Sequence, residues 1–183
     1  MPTEPVVKTG HFGATHYESK LKANGLATVR AWRDYRAGVA PMTAQRVWEI
    51  AADFGAVKTI FPLLLSVYIT YTDASTTGIG TARHMTFPPA NPKSPVSPKN
   101  PLFFGIEQLV EFDEKARRLA YTSPVGMPVS NYKSVMQVTG DDACRLTWTS
   151  TFKVVTGQEG FVEVLAGILA GGANQVATVL GLK

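Results

Sequence analysis

Cysteine occurs once in the 183 residues, at Cys144, and a single thiol excludes an intrachain disulfide framework. It sits in V-T-G-D-D-A-C-R-L, just after a turn signal and with neither His nor Asn beside it. That context reads as a small structural residue rather than a nucleophile. Histidine is scarce too: His11, His16 and His84 have no metal-ligand spacing with Cys144, so no metal site is expected. Long apolar runs are missing. The stretch over 60–69 is broken by Pro62, and the one over 161–180 carries Glu163, Asn174 and Gln175. Neither spans a bilayer comfortably, and M-P-T-E-P-V-V-K-T-G-H-F lacks an apolar core of signal-peptide length. A soluble, cytoplasmic chain with no membrane partner is the expectation. Nor is there a basic cluster interleaved with aromatics. The net charge of +4 comes from Lys and Arg scattered among the acids, so no nucleic-acid partner is expected.

What is present is enough apolar material, 45% of the residues, to bury a core in one domain of this length. Residues 1–24 are polar and without clear periodicity, an N-terminal extension that is either an arm or a loose tail. Residues 25–183 read as a single domain. G-L-A-T-V-R-A-W-R-D-Y-R-A alternates as a first strand. Thr43 then offers a helix cap, with Val47, Ile50, Ala51 and Phe54 at helical spacing and Gly55 at the end. A second short helical piece fits 58–65. Strands follow over 66–72, 81–87, 103–112, 118–123, 131–139 and 145–154, most of them separated by turn formers. The exception is P-P-A-N-P-K-S-P-V-S-P-K-N-P, residues 88–101, with six prolines. It cannot be a paired central strand and is a loop, either a lid or a solvated excursion. Residues 157–182 form one long helix with Phe161, Leu165, Ile168, Val176 and Val179 along its apolar stripe. Its glycines either leave volume between helix and sheet, or Gly171 and Gly172 end one helix and start another.

The fold class is therefore α+β: a curved antiparallel sheet of about seven strands wrapped around a long C-terminal helix, with two short helices after strand 1. Alternation assigns the inner face. In T-G-I-G-T-A-R-H-M-T-F, residues 77–87, one face holds Ile79, Thr81, Arg83, Met85 and Phe87, so a cation sits among apolar neighbours. Leu119, Tyr121 and Ser123 point inward, as do Tyr132, Ser134, Met136 and Val138, and Leu146, Trp148, Ser150 and Phe152. In the 103–112 strand, Glu107, Leu109 and Glu111 alternate with Gln108, Val110 and Phe112, and alternation alone leaves the choice open. An unpaired buried charge is too costly, so Arg83 needs a carboxylate or a path to solvent. It either orients the polar end of a ligand, closes the barrel as half of an ion pair, or snorkels to the rim. His84 falls on the outer face; Trp32 and Trp48 read as core; His11 and His16 stay unassigned.

Five segments resemble the SRPBCC superfamily, the START and birch-pollen-allergen-like helix-grip proteins, in its polyketide cyclase/dehydrase-like branch. They are V-W-E-I-A-A-D-F-G-A (47–56), G-I-G-T-A-R (78–83), E-Q-L-V-E-F-D-E-K-A-R-R-L-A-Y (107–121), P-V-S-N-Y (128–132) and L-T-W-T-S-T-F (146–152). The likeness runs in order over about residues 26–182. Two departures stand out. V-K-T-I-F-P-L-L-L replaces a Trp- and His-Pro-containing stretch of relatives, and the leader and Pro-rich loop are atypical. The resemblance implies a helix-grip fold and puts Glu107 on the cavity side, next to Arg83.

Three functions fit that cavity. The first is a cofactor-independent cyclase, isomerase or dehydratase of secondary metabolism acting on a hydrophobic intermediate. Glu107 would be its acid or base, with Arg83, Tyr121 and Tyr132 binding a developing oxyanion. Met85, Phe87, Leu109, Leu119, Ser134, Met136, Trp148, Ser150, Phe152 and Ile168 would line the ligand. The second is a carrier for an apolar or aromatic small molecule, and the third a partner-regulating module with a closing Pro-rich loop. No cofactor is expected, because G-I-G precedes a strand rather than a helix. The oligomeric state is left open, a homodimer included.

Overall fold

The computed structural model describes residues 4–36, 43–71, 78–89, 91 and 93–182. They build one antiparallel sheet of nine strands in the order β1-β2-β3-β9-β8-β7-β6-β5-β4. Its strands are β1 (Val6–Phe12), β2 (Thr15–Leu21), β3 (Leu26–Tyr35), β4 (Ser66–Thr70), β5 (Ala82–Phe87), β6 (Phe103–Asp113), β7 (Arg118–Val125), β8 (Val129–Gly140) and β9 (Cys144–Val154). Helices α1 (Ala44–Ala51) and α2 (Val57–Ile60) carry the chain from β3 to the far edge at β4, and α3 (Phe161–Val179) packs on the inner face. This is the helix-grip arrangement.

Nine strands replace the expected seven or so because residues 6–21 pair as a hairpin and extend the sheet beyond β3. On β2 the buried positions are Thr15 and Ser19, with Tyr17 half-buried. The inward face mixes the hydroxyls of Thr15 and Ser19 with Tyr17 and Leu21, which are only partly buried against the core, so its hydrophobic alternation is weak. Ser19 Oγ donates to Glu163 Oε1 on α3 at 2.6 Å, and on the neighbouring β3 Arg33 Nη1 donates to Asn174 Oδ1 of α3 at 2.5 Å, while Thr15 Oγ1 has no hydrogen-bond partner among the described residues. On the outer side of the hairpin, His16 stacks on Trp32 with ring centroids 5.5 Å apart. Trp32 is therefore a half-buried outer-face residue rather than core. His84 is also on the outer side, with Nε2 at 3.1 Å from Thr70 Oγ1.

Helix α1 starts where Thr43 Oγ1 accepts from the Arg46 amide, relieving one of the unpaired donors of the first turn. Trp48 is buried and its Nε1 donates to Glu114 Oε2 at 3.0 Å, pinning the helix to the β6–β7 turn. Helix α2 ends at Ile60, short of the expected 65, since Pro62 cannot continue it. The Pro-rich segment forms no named strand. It folds on itself around Asn100, whose Nδ2 donates to the carbonyls of Asn91, Ser94 and Pro95; Ala90 and Pro92 lie outside the described residues.

Helix α3 is continuous through Gly171 and Gly172. Gly172 does not leave a void. A Cβ there would come within 2.7 Å of Phe61 and 2.8 Å of Trp148, whereas Gly167 and Gly171 have nothing within 4 Å. Gly172 is where the helix comes down onto the sheet and the α2 segment. Gly172→Ala should therefore destabilise the fold by about 1–3 kcal/mol through overpacking. Gly167→Ala should stabilise it by up to ~1 kcal/mol through helix propensity. Urea unfolding of the two variants tests the contrast.

Candidate functional site

The sheet and α3 do not meet along their whole length. In the lower half, Leu109, Leu119, Met136, Val138 and Leu146 are buried in one core with α1 and α3. Toward the end of the sheet where β5 stops and β6 starts, a cavity of about 400 Å³ opens. Its walls come from the α2–β4 segment (Phe61, Leu64), β5 (Met85, Phe87), the β7–β8 turn (Met127, Pro128) and the first turns of α3 (Phe161, Val164, Leu165, Ile168). Trp148 closes the floor together with Leu169. The polar side chains on this wall are Glu107, Tyr121, Ser123 and Tyr132.

The position of Glu107 follows from register. Arg83 on β5 and Glu107 on β6 are direct cross-strand partners, and both side chains are buried, at 5% and 7% exposure. Irregularities in the β6–β7 pairing between Ile106 and Gln108 and between Leu109 and Glu111 explain why simple alternation left this strand ambiguous. Arg83 Nε and Nη2 both donate to Glu107 Oε2, at 2.6 and 2.5 Å, and Nη1 reaches the Phe54 carbonyl at 3.4 Å. The guanidinium carbon lies 4.2 Å from the Phe54 ring centroid and 4.9 Å from that of Tyr121. Arg83 is thus held between two aromatic rings behind Glu107, and it does not border the cavity. Among the described residues, Oε1 of Glu107 accepts no protein hydrogen bond. Burial pushes the carboxyl above the usual carboxylate range, and Arg83 pulls it part of the way back.

Beneath the cavity runs a chain of buried polar groups. Trp148 Nε1 donates to Tyr121 Oη at 3.0 Å and to Ser134 Oγ at 2.9 Å. Ser134 Oγ lies 2.9 Å from Ser150 Oγ, which lies 3.0 Å from Tyr132 Oη. An indole can only donate, so the two serines and two phenols orient around it. Burial is the main cause that raises the Tyr132 phenol to about 12, with the Glu107 charge adding to it. Burial raises Tyr121 well above its ordinary value too, reinforced by Tyr132 and Glu107. Both phenols keep their protons near neutral pH.

Of the residues read from sequence as site candidates, Glu107, Tyr121, Tyr132, Met85, Phe87, Trp148 and Ile168 border the cavity. Leu109, Leu119, Ser134, Met136, Ser150 and Phe152 do not. They belong to the packed half of the sheet or to the polar chain below the floor. Alternation reports which face a side chain occupies, not how far along the strand the packing stops. The sequence reading also passed over Leu64, Met127, Pro128 and Val164. The signal available was a pair of uncharged connections, F-P-L-L-L and V-G-M-P-V. Among the described residues no group of three or more His, Cys, Asp or Glu is placed to hold a metal.

Arg83→Met leaves a carboxylate buried without its cation and should cost about 3–5 kcal/mol. Arg83→Met combined with Glu107→Leu should recover most of that loss, since both charges then leave the interior. Urea melts of the single and double variants check the pair.

Among functionally curated proteins none matches the chain. Solved structures do. The protein XoxI from Bacillus cereus is 21% identical, with 83% of this chain and 94% of that one covered and a TM-score of 0.60. A Thermobifida fusca protein is 25% identical, with 82% and 93% covered and a TM-score of 0.59. Norcoclaurine synthase from Thalictrum flavum, in complex with dopamine and hydroxybenzaldehyde, is 19% identical, with 85% and 88% covered and a TM-score of 0.59. A family model described as polyketide cyclase/dehydrase and lipid transport matches residues 35–181. With most of its length inside that match, the chain belongs to the polyketide cyclase/dehydrase and lipid transport family, within the SRPBCC superfamily.

Proposed function

We propose that the protein is a cofactor-independent enzyme that closes a ring in, dehydrates or isomerises a hydrophobic intermediate such as a polyketide. The observation that carries this reading is Glu107. Among the described residues it is the one carboxylate on the cavity wall, with one oxygen anchored by Arg83 and the other turned to no protein donor. A ligand seated against α3 would present its acidic C–H or O–H to Oε1, which takes the proton as general base. The neutral phenols of Tyr121 and Tyr132 would donate to the oxygen on which charge develops. Arg83 does not touch the ligand in this scheme. It fixes the carboxylate and favours its ionised form. Closure within apolar walls excludes water and holds the reactant in a reactive shape. The ligands seen in norcoclaurine synthase, two small aromatic molecules held by the same fold, support a cavity of this kind as a reaction vessel.

A carrier role is the second reading, favoured by how few polar groups interrupt the wall. One experiment separates the two. A ligand that co-purifies is identified by mass spectrometry and offered to the wild type and to Glu107→Gln. The enzyme reading expects conversion by the wild type, loss of at least ~100-fold in the variant, and nearly unchanged ligand affinity. The carrier reading expects binding by both and conversion by neither. The pH profile has a defined sign. The base works ionised, and its carboxyl holds the proton above the ordinary carboxylate range. Conversion should therefore rise with pH through that raised value, and this limb should be missing from the profile of Glu107→Asn.

A further inference from the structure

The apolar wall of the cavity does not end at its mouth. Leu64 is buried, yet its neighbours Leu63 and Leu65 are 80% and 50% exposed. Phe103, where β6 starts, is 49% exposed, and Val164 and Ile168 on α3 are 56% and 41% exposed. Three separate segments thus put large apolar side chains into solvent around one opening. A fourth, the β7–β8 turn V-G-M-P-V, contains no charge, and its Val125 is 52% exposed. Apolar residues scattered singly on a surface need no explanation, but a continuous collar around a pocket marks a contact site.

Exposed lysines stand on the α2–β4 and Pro-rich segments at the mouth, while the exposed acids Asp53 and Glu159 precede α2 and α3. From 54 to 106 the sequence holds Lys58, Arg83, Lys93 and Lys99 against a single acid, Asp73. Arg83 is neutralised internally by Glu107. Lys58 is exposed and its Nζ donates to the Leu65 carbonyl at 3.1 Å, so one cation stands directly beside the collar. Lys93 and Lys99 are exposed on the Pro-rich segment, which leaves β5 and enters β6 at the mouth. Glu163, the acid in the first turn of α3, turns away to Ser19 and Lys8 on the hairpin side.

We propose that the mouth of the cavity docks on an anionic lipid surface. The collar enters the headgroup boundary, and Lys58, Lys93 and Lys99 meet lipid phosphates. Separate protruding loops fit a fluid interface better than the matched groove a folded protein partner requires, and the lysines supply the complementary charge. An apolar ligand then passes between bilayer and cavity without crossing water, whether it is converted inside or only carried. The expectation of no membrane partner rested on the lack of a spanning segment. Docking needs none. Helix α3 is long and apolar enough to cross a bilayer, but half of it is buried against the sheet, where it serves as the core helix.

The test uses sedimentation with vesicles of phosphatidylcholine alone or with about 30% phosphatidylglycerol, the anionic surface the lysines require. The wild type should pellet with the anionic vesicles and much less with the neutral ones. Leu63→Asp combined with Leu65→Asp should lower the bound fraction at least tenfold, and Lys58→Glu with Lys99→Glu should remove the preference for anionic lipid. These positions are exposed, so urea stability should hold, as should uptake of the fluorescent probe anilinonaphthalene sulfonate by the cavity. Unchanged probe uptake separates a failure of docking from a failure of the cavity reading. No pelleting with anionic vesicles, equal pelleting of wild type and the double-leucine variant, or a self-association that this variant abolishes would overturn the proposal.

Discussion

The pairing of β5 with β6 places two opposite charges side by side in the interior, and much of the site's geometry depends on it. Either Arg83 or Glu107 alone in that position would be a severe liability. Together they are tolerable because Arg83 Nε and Nη2 converge on one carboxylate oxygen and the flat guanidinium lies between Phe54 and Tyr121. A lysine could not reproduce that, since it has neither the fork nor the flat face. The pair also divides labour. The cation is enclosed by protein, and the carboxylate is left at the boundary between protein and cavity.

Much of this was legible in the sequence. Alternation put Leu119, Tyr121, Tyr132, Ser134, Leu146 and Trp148 on the inner face, and each is buried. It worked because β7, β8 and β9 have a solvated outer face, so polar and apolar residues alternate. Arg83 was conspicuous for the same reason, as a charge out of phase with its neighbours. Glu107 was not, because β6 slips in its pairing with β7 and acidic residues fall on both sides of the slip. The hairpin at the start of the chain was invisible to the same logic. Its fully buried residues, Thr15 and Ser19, are hydroxyl-bearing, and the partner of Ser19 is a glutamate far along the chain.

The extent of the cavity was the least readable feature. Whether an inward side chain meets a neighbour or empty space depends on where α3 leaves the sheet, and one glycine largely decides that. At Gly172 the helix backbone lies close to Trp148 and Phe61. Toward its first turn the helix is held off by the larger Phe161, Leu165 and Leu169. The same inward pattern therefore yields solid core at Met136 and cavity wall at Tyr132.

The hydrogen bonds that tie β2 and β3 to α3 have a mechanical consequence. Ser19 grips α3 near its beginning, and Arg33 and Tyr35 grip it near its end, the latter through the Ala173 carbonyl. A rod clamped at two points along one flank cannot swing open on that side. Admission of a bulky guest must then come from the opposite flank, where short uncharged connections rather than a helix form the doorway.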